Sequence, residues 1–403
     1  MVKELQASIR TIMTPGPVEA EPRVLRAMSA PILGQYDPEF FAMMNDVTNL
    51  LKLPFQTENE WALAVDGTAR AGLEAAVCGI IEPGDKVLVP SFGRFGFLMA
   101  ELAQRAGAQV KIVEQAWGTI FDPKKVIEEI KAYNPKMLIM VHGETSTGQM
   151  QDLKEIGLFC KENDVLFMVD AVATFTGADF QTDAWGVDIA VAGTQKCLSV
   201  PTGMAPVTYN AKVEKILASR YQVELGLTKD VRNDRFISSN YLDLSQIQQY
   251  WGPKHINHHT EMTSMIYALR EGLRIVHEEG LENRFARHRK HEKAMMTGLN
   301  AMGLTLFGDM ASKMPTVTCV NIPEGLDGEA VRATLLHHYG VEIASSFGSL
   351  AGKIWRIGNM GFSSRKENVL HTLNALEASI TFHGGKIAKG EAAQAALKFY
   401  SEN

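Results

Sequence analysis

Two residues set the chemistry. Asp170 closes the apolar run Phe167-Met-Val-Asp170-Ala-Val, and Lys196 follows 26 residues later in Gly193-Thr-Gln-Lys196. Adjacent strands ending in these turns would bring both side chains to one crevice. A lysine in an apolar or cationic setting can capture a carbonyl as a Schiff base. An aspartate can keep a pyridine nitrogen protonated, so that the ring accepts electrons. That is the pair pyridoxal phosphate requires, although by themselves the two residues also read as a buried acid and a surface lysine.

Three further segments carry matching chemistry. Asp66-Gly-Thr68-Ala69-Arg70 runs into an apolar helix. Thr68 is expected to cap it, and the free N–H groups of Ala69 and Arg70, with the helix dipole, would hold a phosphate. An ordinary N-cap is the plain alternative. His142-Gly-Glu-Thr145-Ser-Thr-Gly148 offers hydroxyls to a ring substituent, or is a simple Ser/Thr turn. Ser91-Phe92-Gly-Arg-Phe95-Gly96 offers an aromatic to stack on a flat ring, with Phe92 the better core candidate. No G-x-G-x-x-G follows a strand, and Gly348–Lys353 is one residue short of a P-loop and lacks its Ser/Thr.

Elements must hold these segments together. From about residue 60 to 210, β-rich runs alternate with helical periodicity. The expected strands are 85–90, 109–113, 137–142, 165–169 and 188–192, and the expected helices are 69–81, 97–106, 124–132 and 153–162. This pattern argues an α/β fold with an open, mostly parallel sheet covered on both faces, whose ligand collects at the carboxyl ends of the strands. A helical stripe over 260–279 reads as a linker to a smaller C-terminal α+β domain, with strands 316–322 and 353–357 and helices 328–337 and 366–379. The expected division is an N-terminal arm over 1–20, a large domain over 21–262, and the linking helix with the small domain over 263–403.

Composition excludes other classes. The chain has 403 residues, 46% hydrophobic and 21% charged, with 40 basic and 46 acidic side chains for a net charge of −6. It is neither disordered nor basic enough to hold nucleic acid or an anionic membrane. Four scattered cysteines form no C-x-x-C pair, and no signal-length or membrane-spanning apolar stretch occurs. A cytoplasmic protein acting on small molecules is expected. Histidines 255, 258 and 259 cluster, but no carboxylate completes a ligand spacing, so no metal is expected. The run Arg287–Lys293 reads as a solvated helix face.

Together the motifs resemble fold-type I, class V pyridoxal-phosphate aminotransferases, the group of the alanine- and serine-glyoxylate enzymes. The likeness runs from Thr14-Pro-Gly16-Pro through HGETSTG, VDAVAT, GTQK and Asn257-His-His-Thr260 to Lys353-Ile-Trp-Arg356-Ile-Gly358. It implies Lys196 as the Schiff-base lysine, Asp170 as partner of the pyridinium nitrogen and Phe95 on the ring face. It also implies Thr68, Ala69, Arg70 and Gln195 on the phosphate and Thr145 on the ring hydroxyl. Thr260 corresponds to a phosphate ligand supplied by a second subunit, implying a homodimer with shared active sites. Arg356 corresponds to the grip on the substrate carboxylate, and Gly16 lines that pocket. Gln35 and Asn257 place primary amides toward the substrate side chain, which suits a ureido group better than a methyl. The expected reaction is therefore transfer of an amino group from (S)-ureidoglycine to glyoxylate. An alanine- or serine-glyoxylate reaction is the first alternative and a lyase or desulfurase, suggested by Cys197, the second.

Overall fold

The computed structural model describes residues 2–229 and 233–403. Short apolar segments rich in Val, Ile, Leu and Met form the strands of one seven-stranded sheet. In chain order they are β1 (Trp61–Asp66), β2 (Lys86–Ser91), β3 (Gln109–Glu114), β4 (Met137–Val141), β5 (Leu166–Asp170), β6 (Ile189–Val191) and β7 (Met204–Tyr209). Their spatial order is β1-β7-β6-β5-β4-β2-β3, and only β7 runs against the rest. The central strands are buried throughout, as a sheet covered on both faces demands.

Helices follow the strands as crossovers. After α1 (Pro38–Phe55) come α2 (Ala69–Ile80) behind β1, α3 (Arg94–Arg105) behind β2, α4 (Pro123–Tyr133) behind β3 and α5 (Lys154–Glu162) behind β4. Registers align Asp170 with Val141 on one side and Val191 on the other, so the turns beyond β4, β5 and β6 meet at one edge. That edge holds the chemistry-bearing segments.

Helix α6 (Thr263–Glu279) leads into α7 (Leu281–Ala301) and a second apolar core. There β8 (Val317–Asn321), β9 (Ala344–Ser345) and β10 (Ile354–Gly358) pair antiparallel in the order β8-β10-β9. The N-terminal segment joins this smaller unit. Thr11 and Ile12 pair with Val341 and Glu342, and the Gly358 N–H donates to the Met13 carbonyl at 2.7 Å.

Several elements differ from the sequence reading. Strands β1 and β7 and helices α1 and α7 are not among the expected elements, and α6 begins at Thr263 rather than 260. Helix α3 begins at Arg94 rather than 97 because groups distant in sequence cap it, as described below. The run Arg287–Lys293 lies on α7 but is not simply solvated. His288 is fully buried and takes a hydrogen bond from the Gly361 N–H at 2.9 Å, while Arg287 pairs with Glu279 at 2.5 Å.

Candidate active site

Five strand ends and the N-terminal arm enclose a cavity of about 310 Å³. Lys196 and Gln195 enter from beyond β6, Asp170 from β5, Thr145 from beyond β4, Phe95 from α3, and Thr68, Ala69 and Arg70 from the start of α2. Gly16 closes the cavity from the arm, where a Cβ would fall on the Lys196 side chain. The Lys196 ammonium donates to the Pro15 carbonyl.

Burial tunes the two central groups toward each other. Desolvation lowers Lys196 to about 8, helped by the nearby Arg356 charge and opposed by neighbouring acids. Desolvation raises Asp170 to about 7, against the Val172 N–H that donates to Oδ1 at 2.9 Å. At neutral pH about a tenth of the lysine is therefore a neutral amine, the form that attacks carbonyls, far more than in an ordinary lysine. The aspartate lies opposite, poised to ionise beside a cation.

The phosphate end is built by local sequence. Gly67 takes φ 117°, a left-handed conformation, and turns the chain from β1 into α2. Thr68 occupies the N-cap position in an extended conformation, but its hydroxyl makes no capping bond. The expected side-chain cap is thus not made, which leaves the hydroxyl and the first-turn N–H groups for an anion. Gln195 contributes a buried Oε1 with no hydrogen-bond partner.

Some of the machinery escaped the sequence reading. The fully buried Glu144 accepts from the Phe95 N–H at 2.8 Å, and from the Ser146 N–H and hydroxyl at 3.0 and 2.6 Å. Ser146 in turn accepts from the Arg94 N–H at 3.1 Å. The HGETSTG turn thereby caps α3 from outside and holds Phe95 over the cavity. Gly93 leaves room for this, since a Cβ there would strike the Glu144 side chain. Burial keeps the Glu144 carboxyl above its ordinary range.

Arg356 stands beside Thr145 at the edge of the cavity. Its Nε donates to the Ser345 carbonyl at 2.7 Å and its Nη1 to the Thr145 carbonyl at 3.1 Å. Its guanidinium lies 4.5 Å from the centre of the Phe347 ring, which Arg94 also approaches at 4.2 Å. Burial lowers Arg356 to about 10, so it remains a cation at neutral pH. Gln35, Asn257 and Thr260 do not line this chain's own cavity. Asn257 and Thr260 are exposed, and stacking of Phe41 on His255 at 4.1 Å sets the start of α1 against their loop. Cys197 is buried with its thiol pushed up to about 11, which is unsuited to a desulfurase nucleophile.

A parallel sheet with a lysine, an aspartate and a helix N-terminus converging at its carboxyl edge defines a class of enzyme. Residues 34–360 match the family model for class-V aminotransferases, and the chain belongs to that family: it is a fold-type I, pyridoxal-phosphate-dependent aminotransferase. It is 56% identical to the (S)-ureidoglycine–glyoxylate transaminase of Bacillus subtilis (strain 168), over 99% of this chain and 97% of that protein. The crystal structure of ureidoglycine-glyoxylate aminotransferase from Bacillus subtilis superposes with a TM-score of 0.95 at 56% identity, covering 100% of both chains. The alanine–glyoxylate aminotransferase of Drosophila melanogaster is 33% identical over 94% of each chain. The residues present fit the cofactor: the uncapped start of α2 leaves N–H donors for its phosphate, the Gln195 amide borders that end of the cavity, and the buried Asp170 carboxyl would face its ring nitrogen.

Proposed function

We propose that this enzyme moves the amino group of (S)-ureidoglycine to glyoxylate, yielding N-carbamoyl-2-oxoglycine (oxalurate) and glycine, in purine and allantoin catabolism. The observation that carries the reading is the near-complete likeness to the Bacillus subtilis enzyme, joined to the Lys196–Asp170 geometry. Bound pyridoxal phosphate supplies an electron sink that makes the substrate Cα–H acidic.

The chain's own residues do the rest. Thr68, Ala69, Arg70 and Gln195 hold the phosphate. Asp170 keeps a proton on the ring nitrogen, Thr145 faces the ring hydroxyl and Phe95 covers the ring. The Lys196 amine, about half neutral near pH 8, would take the proton from Cα and deliver it to the cofactor carbon beyond the amino nitrogen. Arg356 pairs with the carboxylate that both donor and acceptor carry, with Gly16 lining the same pocket, so one site serves both half-reactions.

Thr260, Asn257 and Gln35 belong to the neighbouring site of a homodimer in this reading. Their placement away from this chain's own cavity supports that assignment, with the two amides reading the ureido group. We divide the chain into the arm over 1–20, the large domain over 21–262 and the small domain over 263–403. Small molecules are its partners, and neither nucleic acid nor membrane is among them. The cytoplasm is the compartment we assign, in keeping with four unpaired cysteines and with no membrane-length apolar helix among the described residues.

Glycine formation from glyoxylate is the deciding assay, with ureidoglycine generated enzymatically in the same vessel. Ureidoglycine should outpace alanine and serine, and Asn257→Tyr should depress its use far more than theirs. Preference for alanine or serine in the unaltered enzyme would reassign the donor, and keto-acid-independent turnover would indicate a lyase.

A further inference from the structure

Along the sequence no carboxylate completes a ligand spacing with histidines 255, 258 and 259, but the fold sets two beside His259. Asp66, at the end of β1, and Glu261, just before α6, both meet His259. Its Nε2 lies 3.1 Å from Asp66 Oδ2 and 3.6 Å from Glu261 Oε2. Asp66 and Glu261 are buried, with side-chain exposures of 3% and 0%, while His259 keeps 12%. Asp66 Oδ1, both Glu261 oxygens and His259 Nε2 have no hydrogen-bond partner.

The hydrogen-bond chain behind His259 decides which way its ring faces. His258 Nε2 lies 3.0 Å from the Asn240 carbonyl, which can only accept, so that nitrogen bears the proton. A neutral His258 then presents a lone pair at Nδ1, 2.7 Å from His259 Nδ1. His259 then donates from Nδ1 and turns Nε2 toward the two carboxyl groups. One ligand atom from each of Asp66, His259 and Glu261 lies within 4.8 Å of the other two.

We propose that Asp66, His259 and Glu261 form a structural zinc-class site that braces the phosphate-holding segments of the enzyme. Bonds of about 2.0 Å in a tetrahedral shell put neighbouring ligand atoms about 3.3 Å apart, between the two separations seen. His258 is the outer partner that orients a ligating imidazole. The divalent charge cancels two carboxylates standing beside the turn that receives a phosphate dianion. Its placement is also mechanical: Asp66 adjoins Gly67 and Thr68, and His259 and Glu261 flank Thr260. This role as a brace rests on the transaminase reading, whereas metal retention does not depend on the donor.

The test is metal content of the holoenzyme after dialysis with zinc chloride and gel filtration, read by plasma mass spectrometry. Unaltered protein should retain about one zinc per chain, with water in the fourth position beside the three protein ligands. Glu261→Gln and His259→Gln should retain none, and because both keep the Lys196 cavity they subtract any metal taken by the cofactor. His258→Ala should bind zinc about 10- to 100-fold more weakly in competition with a chromophoric chelator. EDTA should lower the melting temperature of the unaltered protein alone, a readout that holds even if one variant folds poorly. Equal zinc in unaltered and Glu261→Gln protein, or melting insensitive to EDTA, would overturn the site and leave a doubly protonated His259 as the answer to the two carboxylates.

Discussion

Lys196 and Arg356 show what burial does to single side chains. Because Lys196 is lowered to about 8, capture of pyridoxal phosphate by the apoprotein should quicken as pH rises through that value and then level off. Stopped-flow absorbance would show it, and a rate still climbing at pH 10 would mean an unperturbed lysine. Lys196→Ala should keep the cofactor by its phosphate and ring contacts but lose turnover by about 10²-fold or more, the scale of a positioned acid–base group. Arg356→Ala should cost about 2–5 kcal/mol in kcat/KM, the range for truncating one partner of a buried charge pair. Lysine should restore only part of it, lacking the planar fork that reaches two carbonyls and a carboxylate together. An unchanged kcat/KM in the alanine variant would remove Arg356 from the substrate site.

At the scale of elements, the first turn of α3 depends on a residue from another crossover. Glu144 satisfies the Phe95 N–H and, through Ser146, that of Arg94, so a helix terminus and the aromatic above the cavity share one support. Glu144→Ala leaves these donors buried and unpaired, and should cost about 1–3 kcal/mol of stability. It should also weaken cofactor retention, since the platform under Phe95 is loosened. Thermal melting together with the visible circular dichroism of bound cofactor would register both effects. Glu144→Gln, which keeps an acceptor, should lose less of each. Melting unchanged in the alanine variant would show that α3 caps itself.

Across the whole molecule, the proposed reading has sites completed between chains, with the exposed Thr260 and Asn257 and the half-buried Gln35 serving the neighbouring site. Lys196→Ala and Asn257→Tyr chains, each inactive alone, should regain ureidoglycine activity when unfolded and refolded together, because one site of the mixed dimer is then intact. Absence of recovery would place both residues in a site made by a single chain. Acid sensitivity is a second global consequence. His142 is lowered to about 3 and His288 well below the ordinary value, both chiefly by burial. Each is protonated first in the unfolded chain, so their contribution is intact above about pH 6.5 and drains away below it. The slope is about 1.4 kcal/mol per pH unit for each histidine. Urea melts at pH 7.5, 6 and 5 should follow that trend, and stability flat across this range would refute the neutral burial of the pair.

The sequence by itself determined the alternation of strands and helices and the family, and it singled out the proposed reacting pair and phosphate turn that the fold brings to one cavity. These rest on short-range regularities: period-two and period-3.6 apolar patterns, a glycine before a helix start, and small motifs at strand ends. Folding decided what such patterns do not encode. Glu144 read as one letter of a turn until packing laid it under α3, and Arg287 and His288 read as solvated until α7 met Glu279 and Gly361. Strands β1 and β7 gain their identity from each other's register, because a strand's partner is chosen by the whole sheet. The gathering of Asp66 with His259 and Glu261 across about 190 residues is of the same kind. Local spacing specifies which side chains share a face of one element, and only close packing of distant elements specifies which faces, charges and lone pairs must meet.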